Sequence, residues 1–186
     1  MNTTMPTLRI ATVGDAAAID ALMKASIATL FPRYYTEEQS ASAVRYVAEV
    51  DHMLLEDSTY FVLEQDGQLV GCGGWSRRDR LYTGSGAAAG DARLLDPETE
   101  PARIRAMFVR PDWTRRGLGR RILEACEAAA AREGFRTLSL LATLPGVPLY
   151  RAYGFMAFDE REATMPDGVT LACVAMEKPV SMRGDA

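Results

Sequence analysis

The chain has 186 residues, 48% of them hydrophobic and 25% charged, which is core material for one ordinary globular domain. Its formal charge of −4 argues against a general nucleic-acid surface, which needs an excess of basic residues. Cys72, Cys126, Cys173 and the single His52 offer no zinc-ligand spacing, so no metal site is expected, and the scattered cysteines read as buried thiols in a reducing compartment. No signal-peptide core and no bilayer-length apolar segment is present, so the expected location is the cytoplasm, with no membrane partner.

In chain order, residues 8–13 alternate as a first strand, and Asp15 reads as the cap of a helix over 16–30 that Pro32 ends. Thr36-Glu37-Glu38-Gln39 has the form of a capping box, which predicts a second helix over 37–50. Residues 59–64 and 69–75 flank Gln65-Asp66-Gly67-Gln68, a hairpin whose Asp-Gly pair supplies the positive φ angles of a tight turn. From 77 to 101 periodicity disappears, and the glycine-alanine run 84–90 reads as a loop, either a flexible lid or plainly disordered.

A fourth strand is predicted over 102–110. The clearest helix follows at 118–132, with Leu118, Ile122, Ala125 and Ala129 on one face and Gly134 as its left-handed cap. Residues 137–142 form an apolar, central strand, and a short helix over 148–153 ends at Gly154. A last hairpin joins 155–162 to 169–177 across Pro166-Asp167-Gly168. The sum is an α+β domain over residues 1–186, with its core at about 7–179. Its sheet is mixed and mostly antiparallel, of about seven strands, flanked by about four helices, with one β-α-β unit in the second half.

The most informative segment is Val109-Arg110-Pro111-Asp112-Trp113-Thr114-Arg115-Arg116-Gly117-Leu118-Gly119-Arg120-Arg121. A strand runs through a Pro turn into a basic glycine loop and then a helix. That order places unpaired backbone N–H groups at the positive end of a helix, a natural seat for a pyrophosphate. Gly117 and Gly119 lack side chains that would hold a ligand off. The bland alternative is a helix start with arginines on a solvated face, paired to Glu124 and Glu127, as Arg121 is expected to be.

A second motif, Leu149-Tyr150-Arg151-Ala152-Tyr153-Gly154-Phe155, lies one helix and one strand downstream. With both motifs in this order, the chain resembles the GNAT superfamily of acetyl-CoA-dependent N-acetyltransferases, strongly over residues 102–158 and loosely elsewhere. Gly117 and Gly119 match the family's Arg/Gln-x-x-Gly-x-Gly/Ala signature, whereas Thr114 stands at its first position. Tyr150, Gly154 and Phe155 match the second signature, and Thr143 stands where an Asn is often found.

The resemblance implies a GNAT-like fold whose sheet splays between the fourth and fifth strands. It implies that acetyl-CoA is the cosubstrate, with its pyrophosphate on Arg115, Arg116, Gly117, Leu118, Gly119 and Arg120, and its pantetheine arm along Met107, Phe108 and Val109. Thr143 is carried over as a further cofactor contact. The implied reaction is direct attack of a neutral primary amine on the acetyl carbonyl. The backbone N–H of Phe108 or Val109 is the candidate donor to the tetrahedral oxyanion, and Tyr150 the candidate acid for the departing thiolate.

Tyr150 has a bland reading as a buried aromatic, and Tyr153 is its neighbouring alternative. Glu56, Asp57, Glu98 and Glu100 are unranked candidates for a general base. Asp96, Glu98 and Glu100 hint at a cationic acceptor, a small molecule or a peptide amine. Tyr34, Tyr35 and Trp75 either line the acceptor side or pack. Rival readings are a non-catalytic acyl-CoA sensor and a transferase for a longer acyl group or a protein amine. An exposed last strand offers a route to a homodimer.

Overall fold

The computed structural model describes residues 5–79 and 93–181. Seven strands, β1 (Thr7–Ile10), β2 (Tyr60–Gln65), β3 (Gln68–Ser76), β4 (Ala102–Val109), β5 (Thr137–Thr143), β6 (Met156–Thr164) and β7 (Thr170–Pro179), form one sheet. Its order is β1-β2-β3-β4-β5-β7-β6, and only β4 and β5 run parallel. The helices are α1 (Ala16–Leu30), α2 (Glu37–Tyr46), α3 (His52–Glu56), α4 (Leu118–Arg132) and α5 (Val147–Tyr153). One apolar layer gathers Ile19, Met23, Ile27 and Leu54 from α1 and α3 over one face of the sheet. A second gathers Ile122, Leu123 and Cys126 from α4, with Tyr150 from α5, over the other. This is the three-layer arrangement the two periodicities predict.

Local chemistry explains several boundaries. Asp66 and Gly67 have φ of 51° and 76°, so the β2–β3 hairpin closes through a primed turn matched to strand twist. Thr36 Oγ1 accepts from the Gln39 amide at 3.2 Å and Gln39 Oε1 from the Thr36 amide at 3.0 Å, a complete capping box for α2.

Other boundaries differ from expectation. α2 stops at Tyr46, and the next turn of helix is the separate α3, capped by Asp51, whose carboxylate accepts from the Leu54 amide at 3.4 Å. β1 ends at Ile10 because Asp15 does not cap α1. It accepts instead from the Thr12 amide at 2.7 Å, which winds residues 13–15 into a 3₁₀ turn. The buried face of α4 is rotated from the predicted one: Ile122, Leu123, Cys126 and Ala130 are buried, while Ala125 and Ala129 lie at the margin. The last strand in sequence, β7, sits between β5 and β6, so the outer edge is β6. The run 84–90 lies outside the described residues. On either side of it Arg78 bridges to Leu94, and the Leu95 amide donates to the Arg77 carbonyl at 2.8 Å.

The sheet opens at one place. β4 and β5 pair only at Ala102↔Leu138 and Arg103↔Ser139, whereas β5 stays zipped to β7 from Thr137 to Thr143. At the same point β4 carries a bulge. Gly74 faces Arg105 and Cys72 faces Phe108, which leaves Ala106 and Met107 together opposite Gly73. Ala106 takes φ of 52°, and the side chains of Met107 and Ile122 fill the space that a Cβ at Gly73 would occupy.

Candidate active site

The gap between β4 and β5 holds a cavity of about 110 Å³, walled by Arg105, Met107, Phe108, Thr143, Tyr150 and Cys173 among others. Four residues singled out in the sequence, Met107, Phe108, Thr143 and Tyr150, therefore meet in one place. Outside this wall are Val109, the last residue of β4, and residues 115–120, which follow the strand. Strand alternation settles how the β4 amides divide. The Arg110 amide donates to the Val70 carbonyl at 3.0 Å, on the β3 side, and Phe108 pairs with Cys72 on that side. The Val109 N–H between them is turned toward the gap.

Tyr150 reaches the cavity from α5. Gly146 lets its ring come close, since a Cβ there would stand 2.9 Å from Tyr150 Cε2, and Phe155 meets the ring edge-on at 5.8 Å. The residue is 8% exposed, and its hydroxyl has no hydrogen-bond partner among the described residues. Burial, with Cys126 nearby, pushes its pKa above that of an ordinary phenol, so it holds its proton at neutral pH. Tyr153 is differently committed, because its Oη donates to Glu127 Oε2 at 2.5 Å.

The glycine loop precedes α4. Arg115 and Gly117 take φ of 64° and 78°, and no side chain caps the first turn of the helix. The two glycines do different things. A Cβ at Gly117 would meet nothing within 4 Å, whereas one at Gly119 would come 2.7 Å from Leu149 Cδ2. Gly119 thus lets α5 approach α4, a packing role that the expectation of two ligand-clearing glycines did not contain. The guanidinium of Arg116 lies 4.6 Å from the Trp113 ring, and Arg120, not Arg121, pairs with Glu124 at 3.1 Å. Arg121 donates to the Pro6 carbonyl at 2.7 Å.

Two of the candidate bases are held by arginines. Asp57 accepts from Arg78 at 2.8 and 3.0 Å, which holds its pKa below the ordinary carboxylate value. Glu100 accepts from Arg93 at 2.8 and 2.5 Å, which lowers it to about 2. Asp96 is occupied within its own turn by the Glu98 amide and Thr99 hydroxyl. Trp75 is buried against Phe135, and Tyr34 is exposed. Tyr35 is structural: its Oη donates to the Ala172 carbonyl at 2.7 Å and accepts from the Leu144 amide at 2.9 Å.

Sequence reasoning missed two buried ionic groups. Arg105 on β4 pairs with Asp51 at the start of α3, and each side chain is 1% exposed. Glu127 on α4 accepts from Lys178 Nζ at 2.5 Å and the Ser181 amide at 2.6 Å besides Tyr153, joining α4, α5 and the end of β7. A charged residue within a helix or strand pattern normally reads as solvated, and neither partner is near in sequence.

Comparison with solved structures finds the same fold repeatedly. A GCN5-related N-acetyltransferase from Rhodopseudomonas palustris aligns over 96% of this chain and 98% of its own, at TM-score 0.69 and 23% identity. The PaiA N-acetyltransferase of Thermoplasma acidophilum, solved with coenzyme A, aligns over 95% and 99% at TM-score 0.66 and 15% identity. YncA of Salmonella typhimurium, a putative acetyltransferase solved with acetyl-CoA, aligns over 98% of each chain at TM-score 0.61 and 18% identity. No curated protein matches in sequence. The acetyltransferase (GNAT) family matches residues 24–155, a span running from α1 through both motifs, and the chain belongs to that family.

Proposed function

We propose that the protein is an acetyl-CoA-dependent N-acetyltransferase that acetylates a primary amine, on a small molecule or a peptide, by direct attack. The observation that carries this reading is the continuity of three features. A strand pair parts at a bulge, a phenol that keeps its proton lines the opening, and an uncapped helix start lies just beyond the strand. Two similarly folded proteins were solved with coenzyme A or acetyl-CoA, which supports the cosubstrate.

The residues present suit that group. The open space at Gly117 and the free amides of the first α4 turn would seat a diphosphate, flanked by Arg115, Arg116, Leu118, Gly119 and Arg120. Met107, Phe108 and Val109 would run beside an extended pantetheine, with Thr143 on the facing edge. When bound, acetyl-CoA supplies a thioester-activated acetyl group. The Val109 N–H is aimed to donate to the carbonyl oxygen as negative charge grows there, a fixed dipole that needs no reorganisation. Tyr150 Oη holds the proton that the departing sulfur requires. The apolar part of the wall, Ile104, Met107, Phe108 and Leu141 among it, favours an amine that enters neutral.

Calorimetry with acetyl-CoA and a thiol-release screen over polyamines, amino acids, aminoglycosides and short peptides test the reading. Binding at about tens of micromolar or tighter, with thiol release for one amine class, is the expected result. Absence of binding overturns it, and binding without release from any amine indicates a sensor instead.

A further inference from the structure

The roles above leave unexplained the most deeply buried ion pair among the described residues, Asp51–Arg105. Burying two ions costs several kcal/mol each and seldom improves on apolar residues of the same volume. The best-attested reason to keep such a pair is that it selects one register over another. Arg105 occupies the place where register matters, immediately before Ala106.

A non-glycine residue at positive φ costs about 1–2 kcal/mol and persists only where its surroundings over-determine it. Three contacts surround this one. Met107 fills the space left by Gly73, Cys72 Sγ donates to the Ala106 carbonyl at 3.7 Å, and Arg105 is held by Asp51. Of the three only the last depends on the bulge, as does the place of Ile104, buried in the other layer opposite Trp75. Arg105 lies opposite Gly74, on the face whose missing Cβ would meet Leu54 of α3. With Phe108 kept in register with Cys72, flattening the bulge so that Ala106 faces Gly74 would turn Arg105 to the other face, opposite Trp75. The guanidinium would then be buried in an apolar layer on the wrong side of the sheet from Asp51. Asp51 is itself fixed as the cap of α3.

We infer that Asp51 and Arg105 are a positioning pair that locks the β4 bulge, and with it the parting of β4 from β5 at which acyl transfer takes place. The inference rests on the acyl-transfer reading for its catalytic consequence and on geometry alone for the lock.

Asp51→Asn tests it most simply but strands a buried cation and risks unfolding. The decisive variant is therefore Asp51→Leu combined with Arg105→Met, which removes both charges at similar volume and is expected to fold. Amide hydrogen exchange at Ala106 and Met107, the Kd for acetyl-CoA and the kcat of thiol release are measured on the folded protein. Faster exchange at those two amides, a Kd within about threefold of the parent and a kcat lower by about 10²-fold are expected, since a shift near 1 Å at the reacting centre has that effect. Parent-like exchange, or a kcat within about threefold, overturns the inference, because a pair serving stability alone would move only the melting temperature. If the parent protein releases no thiol, the acyl-transfer reading fails, and the exchange comparison still decides whether the pair holds the bulge.

Discussion

Gly119 offers a clean separation of packing from ligand approach. In Gly119→Ala the new Cβ lies 2.7 Å from Leu149 Cδ2, so that methyl must retreat by about 0.7 Å to reach ordinary contact. The obstacle is the flexible end of a side chain, so overpacking costs only about 1 kcal/mol. Alanine recovers about 1 kcal/mol of helix propensity over glycine inside α4. Stability is therefore nearly unchanged, with a melting temperature within about 3 °C of the parent. The displacement matters because Leu149 is followed directly by Tyr150. The part of that displacement passed on to Tyr150 through α5 is expected to lower kcat by up to about tenfold while the Kd for acetyl-CoA stays within about threefold. Adding Leu149→Ala opens the space and is expected to restore turnover. A Kd weakened more than about tenfold in both variants, with no rescue, would refute this and assign the space at Gly119 to the cofactor.

Tyr150→Phe should lower kcat in a thiol-release assay by about 10²-fold, with cofactor affinity within about twofold, and unchanged turnover would remove the phenol from the chemistry. Burial pushes the Glu127 carboxyl up, but Lys178, the Ser181 amide and Tyr153 outweigh it and hold it below its ordinary value. Such a group stabilises the fold above the unfolded value of about 4.3 and loses that contribution as pH falls through its folded value. Glu127→Gln should thus cost about 3 kcal/mol in urea melts at pH 7, and the difference should shrink on the acid side of about pH 4. Tyr35→Phe leaves the Leu144 amide and Ala172 carbonyl without that partner and should cost about 2 kcal/mol in the same melts, with parent-like kcat.

What could be read from the sequence was what local chemistry decides. Asp66-Gly67 announces its hairpin, Gln39 completes the α2 cap, and the amphipathic run from Leu118 to Arg132 gives both ends of α4. The order strand, glycine loop, helix, strand places β4 parallel to β5, and Met107, Phe108, Thr143 and Tyr150, which the family resemblance singles out, line one cavity. What stayed hidden depends on partners distant in sequence. Nothing between Arg103 and Phe108 marks Ala106 as the residue with positive φ, because Gly73 on β3 and Asp51 before α3 decide it. Gly119 reads as a phosphate-loop glycine until Leu149 is seen against it. Glu127 looks solvated until Lys178 arrives from the far end of the chain.

The short pairing of β4 with β5 also bears on self-association. Strand borders without partners normally invite a second chain, and proteins blunt them with charge. The rim strand β6 follows that practice, carrying Asp159, Glu160, Arg161 and Glu162 in succession. The seam between β4 and β5 needs no such defence, because it is internal: β3 and β7 flank it, and helices cover both faces. The interior seam therefore keeps main-chain groups available for recognition without exposing the protein to fibrous or domain-swapped assembly.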